Sequence, residues 1–182
     1  MGMAAPVYWT AEMVRALPDE GNRYETVRGE LLVTLAPRAW HQEVAVRLAE
    51  TLRAYLRTQP LGHAMMSPAD ISWGPDTLVQ PDVFVVRLDE ARTMDWAMMQ
   101  HLLLAIEVLS PSTARQDRFA KRRLYQEVGV PHYWIVDPEA RSVETWTPEA
   151  TFPRTERERL SWSPPGAATP FTVELADLFR PI

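Results

Sequence analysis

The run Leu102-Leu103-Leu104-Ala105-Ile106-Glu107-Val108-Leu109 decides how this chain is read. Its first residues are uninterruptedly apolar, as in a strand covered on both faces, and a carboxylate then intrudes. A strand alternates its faces, so Glu107 and Leu109 share one and Val108 points to the other. A lone carboxylate in such a setting is expensive unless it is paired or bound to a cation. Glu107 is therefore either half of a buried ion pair with an arginine or a ligand for a metal ion.

A second apolar strand is expected over Val79 to Val86, and it contains Pro81-Asp82-Val83. Taken alone, Asp82 reads as a turn residue that begins a strand. Beside Glu107 it suggests that the two carboxylates share one cation. The chain has no cysteine, which excludes disulfides, thiolate nucleophiles and cysteine-built zinc sites. Oxygen and imidazole ligands remain. Magnesium, or manganese in its place, suits a pair of carboxylates, because such hard cations take one or two of them and fill the rest of the shell with water and phosphate.

Among 19 basic residues the only lysine is Lys121. Codon usage in a GC-rich genome would explain so many arginines, but it does not explain the one exception. Lys121 follows Asp117 by four residues on a helix expected from about Thr113 to Val128, ended by Gly129 at its C-cap and Pro131 beyond. The two project from neighbouring turns, on a flank distinct from Ala120, Leu124 and Val128. They form either a surface ion pair or a compact positive charge presented to the end of the Glu107 strand.

Around this centre the chain reads as α/β (α+β). Thr10 caps a short helix over Ala11 to Leu17. Strands at Tyr24 to Val27 and Leu31 to Leu35 turn through Arg28-Gly29-Glu30. Val44, Leu48, Leu52, Tyr55 and Leu56 recur at helical spacing between Trp40 and Arg57. An extended segment follows at Ala64 to Trp73, and an acidic loop runs from Arg87 to Gln100. A hairpin joins His132 to Val136 with Ser142 to Trp146, and a proline-rich tail with Phe171 to Leu175 closes the chain.

The 182 residues suit one domain, 1–182, with its core at about 24–146. No apolar run reaches the ~20 residues of a membrane span, and the amino terminus lacks a basic segment followed by an apolar one, so a cytoplasmic protein is expected. A net charge of −5 argues against a surface tuned throughout for phosphate backbones. A local patch of Arg115, Arg118, Arg122 and Arg123 would either contact phosphates or form a solvated helix face.

These residues resemble the PD-(D/E)XK nuclease superfamily and, within it, the bacterial Uma-type family of restriction-endonuclease relatives. The likeness runs through Tyr24-Glu25 and Gly29-Glu30, His41, Pro81-Asp82-Val83, Glu107 to Ser112, Asp117 with Lys121, Tyr125, and Gly129-Val130-Pro131 with Tyr133-Trp134. It implies a restriction-endonuclease-like core, a mixed central sheet flanked by helices. It also implies a Mg²⁺-dependent endonuclease that hydrolyses DNA with metal-activated water, by analogy as a homodimer. By the same resemblance Asp82 and Glu107 are catalytic metal ligands joined by the Val108 backbone carbonyl, Glu30 is an accessory catalytic acid, and Lys121 assists. His41 and Asp117 are accessory candidates. The superfamily lysine normally stands two residues after the second acid, where this chain has Leu109; in the Uma-type pattern it has moved to the next helix. The alternative is a nuclease-fold module that binds nucleic acid or oligomerises without cutting, and another phosphoester would fit the same residues.

Overall fold

A computed structural model describes residues 7–182; the amino-terminal reading above rests on residues that include 1–6, which lie outside it. The chain opens with α1 (Ala11–Arg15), capped by the Thr10 hydroxyl, which accepts from the Met13 amide. The hairpin β1 (Arg23–Val27) and β2 (Glu30–Thr34) pairs Val27 with Glu30, leaving Arg28-Gly29 as a two-residue turn. Both turn residues have positive φ, 53° and 81°, as a tight hairpin of this hand requires. The long amphipathic helix is α2 (Ala39–Thr58), and its buried stripe includes Val44, Leu48, Leu52 and Leu56.

Both middle extended segments divide. Ala64 to Trp73 becomes β3 (His63–Met66) and β4 (Ile71–Ser72); Val79 to Val86 becomes β5 (Leu78–Val79) and β6 (Val83–Val86). The second break has a clear physical cause. Pro81 has no amide to donate, the Gln80 amide is taken by Glu25 Oε1 at 2.6 Å, and the Gln80 carbonyl is taken by Arg23 at 3.1 Å. The acidic loop holds α3 (Leu88–Ala91) and a 3₁₀ turn at Trp96–Met98. The decisive run forms β7 (Leu102–Val108). The helix after it begins as a π-helix, Gln116–Lys121, and continues as α4 (Arg122–Glu127), closed by Gly129 at φ 76°.

The expected second hairpin is β8 (Tyr133–Asp137) with β9 (Ser142–Trp146). The tail is richer in structure than expected. It adds β10 (Arg154–Glu156), β11 (Arg159–Trp162), β12 (Phe171–Glu174) and α5 (Leu175–Leu178).

A six-stranded sheet runs β10-β9-β8-β7-β6-β3, parallel between β7 and β8 and antiparallel elsewhere; β2-β1-β5-β4 form a second sheet, and β11-β12 a ribbon. The fold is thus mixed α+β with a mixed central sheet flanked by helices. Alternation divides the core between the two faces of that sheet. Val83, Val85, Leu104, Ile106, Trp134 and Val136 pack beneath α2 and the carboxy-terminal ribbon. Phe84, Val86, Ala105, Tyr133 and Ile135 pack with Leu124 and Tyr125 of α4. Glu107 lies on the second face, the one covered by α4, and the chain crosses from the small sheet to the large one at Gln80-Pro81-Asp82. Among the described residues, no helix is long and apolar enough to cross a membrane.

Candidate active site

The register Val83↔Ile106 sets Asp82, one residue before β6, across from Glu107, one residue further along β7. Asp82 is 5% exposed and accepts from three sides. Arg23 donates to Oδ1 at 2.7 Å, and Oδ2 receives the Val108 amide at 2.8 Å and lies 3.1 Å from His41 Nε2. His41 comes from the first turn of α2, where helical spacing sets it on the buried stripe with Val44, Ala45 and Leu48.

Glu107, 1% exposed, is held by the helix behind it. Lys121 Nζ and the Tyr125 hydroxyl both donate to Glu107 Oε1, at 3.0 and 3.2 Å. Lys121 is itself 1% exposed, and its Nζ lies 2.9 Å from Glu25 Oε2 and 3.6 Å from Asp117 Oδ1. Asp117, Lys121 and Tyr125 succeed one another at intervals of four along one flank. The wider π turn carries that flank past Phe119, which is 64% exposed.

The electrostatics follow from this crowding. Burial drives the Glu107 carboxyl well above its usual range; Lys121 pulls it back, but Asp82, Asp117 and Glu25 push it up again. Burial likewise pushes Asp117 up to about 6, against the pull of Lys121. Asp82 goes the other way. Burial alone would raise it, but the His41 hydrogen bond and the charges of Arg23, His41 and Lys121 hold it well below the carboxylate range. Burial would lower Lys121, and Glu107, Glu25 and Asp117 more than reverse this, so it remains a firm ammonium that holds charge in place instead of accepting a proton.

The structure gathers Asp82, Glu107, Lys121, Asp117 and His41, with the Val108 peptide alongside, and it leaves other expected residues out. Glu30 is exposed at the hairpin tip; the acid that enters the cluster is Glu25, two residues further from the turn on β1, which is wholly buried. The difference comes from register, since Glu25 pairs across the hairpin with buried Leu32 on the inward face, whereas Glu30 ends the ladder in solvent. The signal was available, because Glu25 shares a strand face with Val27, the same anomaly that singled out Glu107. Arg23, two residues earlier on that face, was missed for the same reason.

The helix arginines are placed away from the cluster as well. Arg118 binds Glu144 at 3.0 Å and Asp137 at 3.3 Å, and Arg122 binds Gln126 at 2.8 Å with its guanidinium 4.7 Å over the Trp146 ring. Arg123 pairs with Glu127 at 3.0 Å, and Arg115 is exposed. None of the four lines the cleft.

That cleft has a volume of about 850 Å³ and lies between α1, the start of α2 and the Ser110–Thr113 loop. Asp82, His41 and Arg23 line it, with Arg15 and Arg38 at its rim, while Glu25, Glu107 and Lys121 lie behind Asp82. Among the described residues, no three His, Asp or Glu side chains converge on one point as ligands, since the Lys121 ammonium occupies the focus of Glu25, Glu107 and Asp117. The donor set nevertheless fits a hard cation. Glu25, Asp82, Glu107 and Asp117 face only Lys121 and Arg23 as fixed positive charges, and Glu107 Oε2 is buried without a hydrogen-bond partner.

Two acids on adjoining strands of a mixed sheet, backed by a helix that bears a lysine, define a restriction-endonuclease-like protein. A crystal structure from Anabaena variabilis, titled "a putative nuclease belonging to DUF820", is similar with a TM-score of 0.72 over 94% of this chain and 97% of that chain, at 19% identity. That likeness establishes the fold. The chain belongs to the Uma2 family, described as "putative restriction endonuclease", whose model matches residues 11–176. No curated protein matches it.

Proposed function

We propose that the chain is a metal-dependent endonuclease that hydrolyses phosphodiester bonds of DNA. The observation that carries this is Glu107, a buried carboxylate with one oxygen unpartnered, opposite and behind Asp82, which lines an open cleft. Asp82 and Glu107, with the Val108 carbonyl, would hold Mg²⁺ or Mn²⁺, which supplies Lewis acidity and an activated water when bound. The chain's own residues do the rest. Arg23, His41 and the Val108 amide fix the Asp82 carboxylate in one orientation and keep it ionised. Lys121 holds Glu107 while cancelling part of the charge of Glu25 and Asp117, so that the cluster does not repel a phosphate outright. Arg38, with Arg15 beside Asp70 and Arg23 beside Asp82, gives the cleft donors for the nucleic-acid backbone. Two copies cutting two strands, working in the cytoplasm as one domain each, complete the reading.

Purified protein given supercoiled, linear and single-stranded DNA, and RNA, should nick or cut DNA with Mg²⁺ or Mn²⁺ and lose this with chelator. Asp82→Asn and Glu107→Gln should each abolish cleavage, and undiminished activity in either would remove the site. The competing reading, a nuclease fold that only binds, gains support from Lys121 sealing the convergence of three acids; it predicts DNA binding that neither substitution changes and no cleavage under any metal.

A further inference from the structure

We infer that Tyr125 is a positioning residue that fixes the plane in which the Glu107 carboxylate presents its free oxygen to the cation. This rests on the metal-dependent reading above. Glu107 has two chemically equivalent oxygens, and the structure makes them unequal. Lys121 Nζ and the Tyr125 hydroxyl both donate to Oε1, and Oε2 is left buried and bare. Lysine alone would not enforce this. An ammonium has three donors on a flexible stem, and here it is shared among Glu25, Glu107 and Asp117, so by itself it leaves the plane of the Glu107 carboxylate free to turn.

Tyrosine offers one donor on a rigid ring, and the ring is fixed on both sides. It lies 4.7 Å from the Tyr133 ring and meets Trp73 edge-on at 6.1 Å, and the residue is wholly buried. Its hydroxyl therefore approaches from one direction, and the carboxylate that accepts from it and from Lys121 at the same oxygen is held in one plane. Oε2 then stands ready as the ligand atom without the side-chain ordering that binding would otherwise require. Second-layer contacts of this kind are typically worth about tenfold to a hundredfold in metal affinity.

Tyr125→Phe keeps both ring contacts and deletes only the donor. In Mn²⁺ titration calorimetry of the full chain, Tyr125→Phe should bind about tenfold more weakly than the parent. The KM for DNA should stay unchanged while kcat falls, because the cleft is untouched. Tyr133→Phe removes a comparably buried hydroxyl, which donates to the Asp117 carbonyl at 3.0 Å, from the same stack without touching Glu107; it should leave Mn²⁺ affinity as it was. Parental affinity in Tyr125→Phe, or an equal loss in both variants, would overturn the assignment. If the parent binds Mn²⁺, Glu107→Gln loses it and Tyr125→Phe keeps it, only the positioning role fails. If the parent binds no Mn²⁺, the metal-dependent reading fails and this role with it.

Discussion

At the scale of the residue, Lys121 stands among three buried acids, and removing one partner of a buried charge network leaves the others uncompensated. Lys121→Met should therefore cost about 3–5 kcal/mol, measured by urea unfolding at neutral pH. Its worth should also vary with pH through Asp117. An acid pushed up to about 6 binds more protons folded than unfolded between about pH 4 and 6, so its contribution makes stability fall as pH rises through that window. Asp117→Asn should flatten that fall, which unfolding curves at pH 4, 5, 6 and 7 would reveal. Asp82 acts with the opposite sign, its stabilisation vanishing as pH drops below the ordinary carboxylate range. Glu107, Asp82 and Lys121 were legible in the sequence because each broke a local rule, a charge in an apolar run or a lysine in an arginine-only chain. Glu25 broke the same rule in a strand only five residues long, where the inward face could be told from the outward one only by knowing the hairpin register.

At the scale of the element, periodicity located α2, β7 and the β8-β9 hairpin because each has a long or strongly patterned apolar face. It merged β5 with β6, because the interruption there is made by the site, with Arg23 and Glu25 capturing the two polar groups of Gln80. It missed β11, although Arg159-Leu160-Ser161-Trp162 alternates exposed with buried residues, since four residues among prolines carry little pattern. The π turn was not legible at all. It differs from α-helix only by the way one extra residue is absorbed, which leaves no mark in the residue pattern. The stop of α4 was legible through Gly129. Its positive φ disfavours any Cβ although space is open around it, so Gly129→Ala should cost about 1 kcal/mol in thermal or urea unfolding with no change in fold.

At the scale of the whole molecule, a net charge of −5 argues against a surface basic throughout, and the cleft brings Arg15, Arg23 and Arg38 together beside Asp82. Binding that relies on Arg15, Arg23 and Arg38 neutralises at most about three phosphates, since Arg15 also pairs with Asp70 and Arg23 with Asp82. The slope of log affinity against log salt should accordingly be shallow, about −3, as read by fluorescence anisotropy of labelled DNA. A slope several times steeper would place the track elsewhere on the surface. The two sheets meet where Asp82 faces Glu107, so the cation proposed for that seam is the centre of the whole account. Crystals of the protein soaked in Mn²⁺ and measured at a wavelength where manganese scatters anomalously test it most directly. The account predicts one strong anomalous peak in contact with both Asp82 and Glu107 Oε2; a peak elsewhere, or none while Lys121 keeps its three carboxylates, would contradict it.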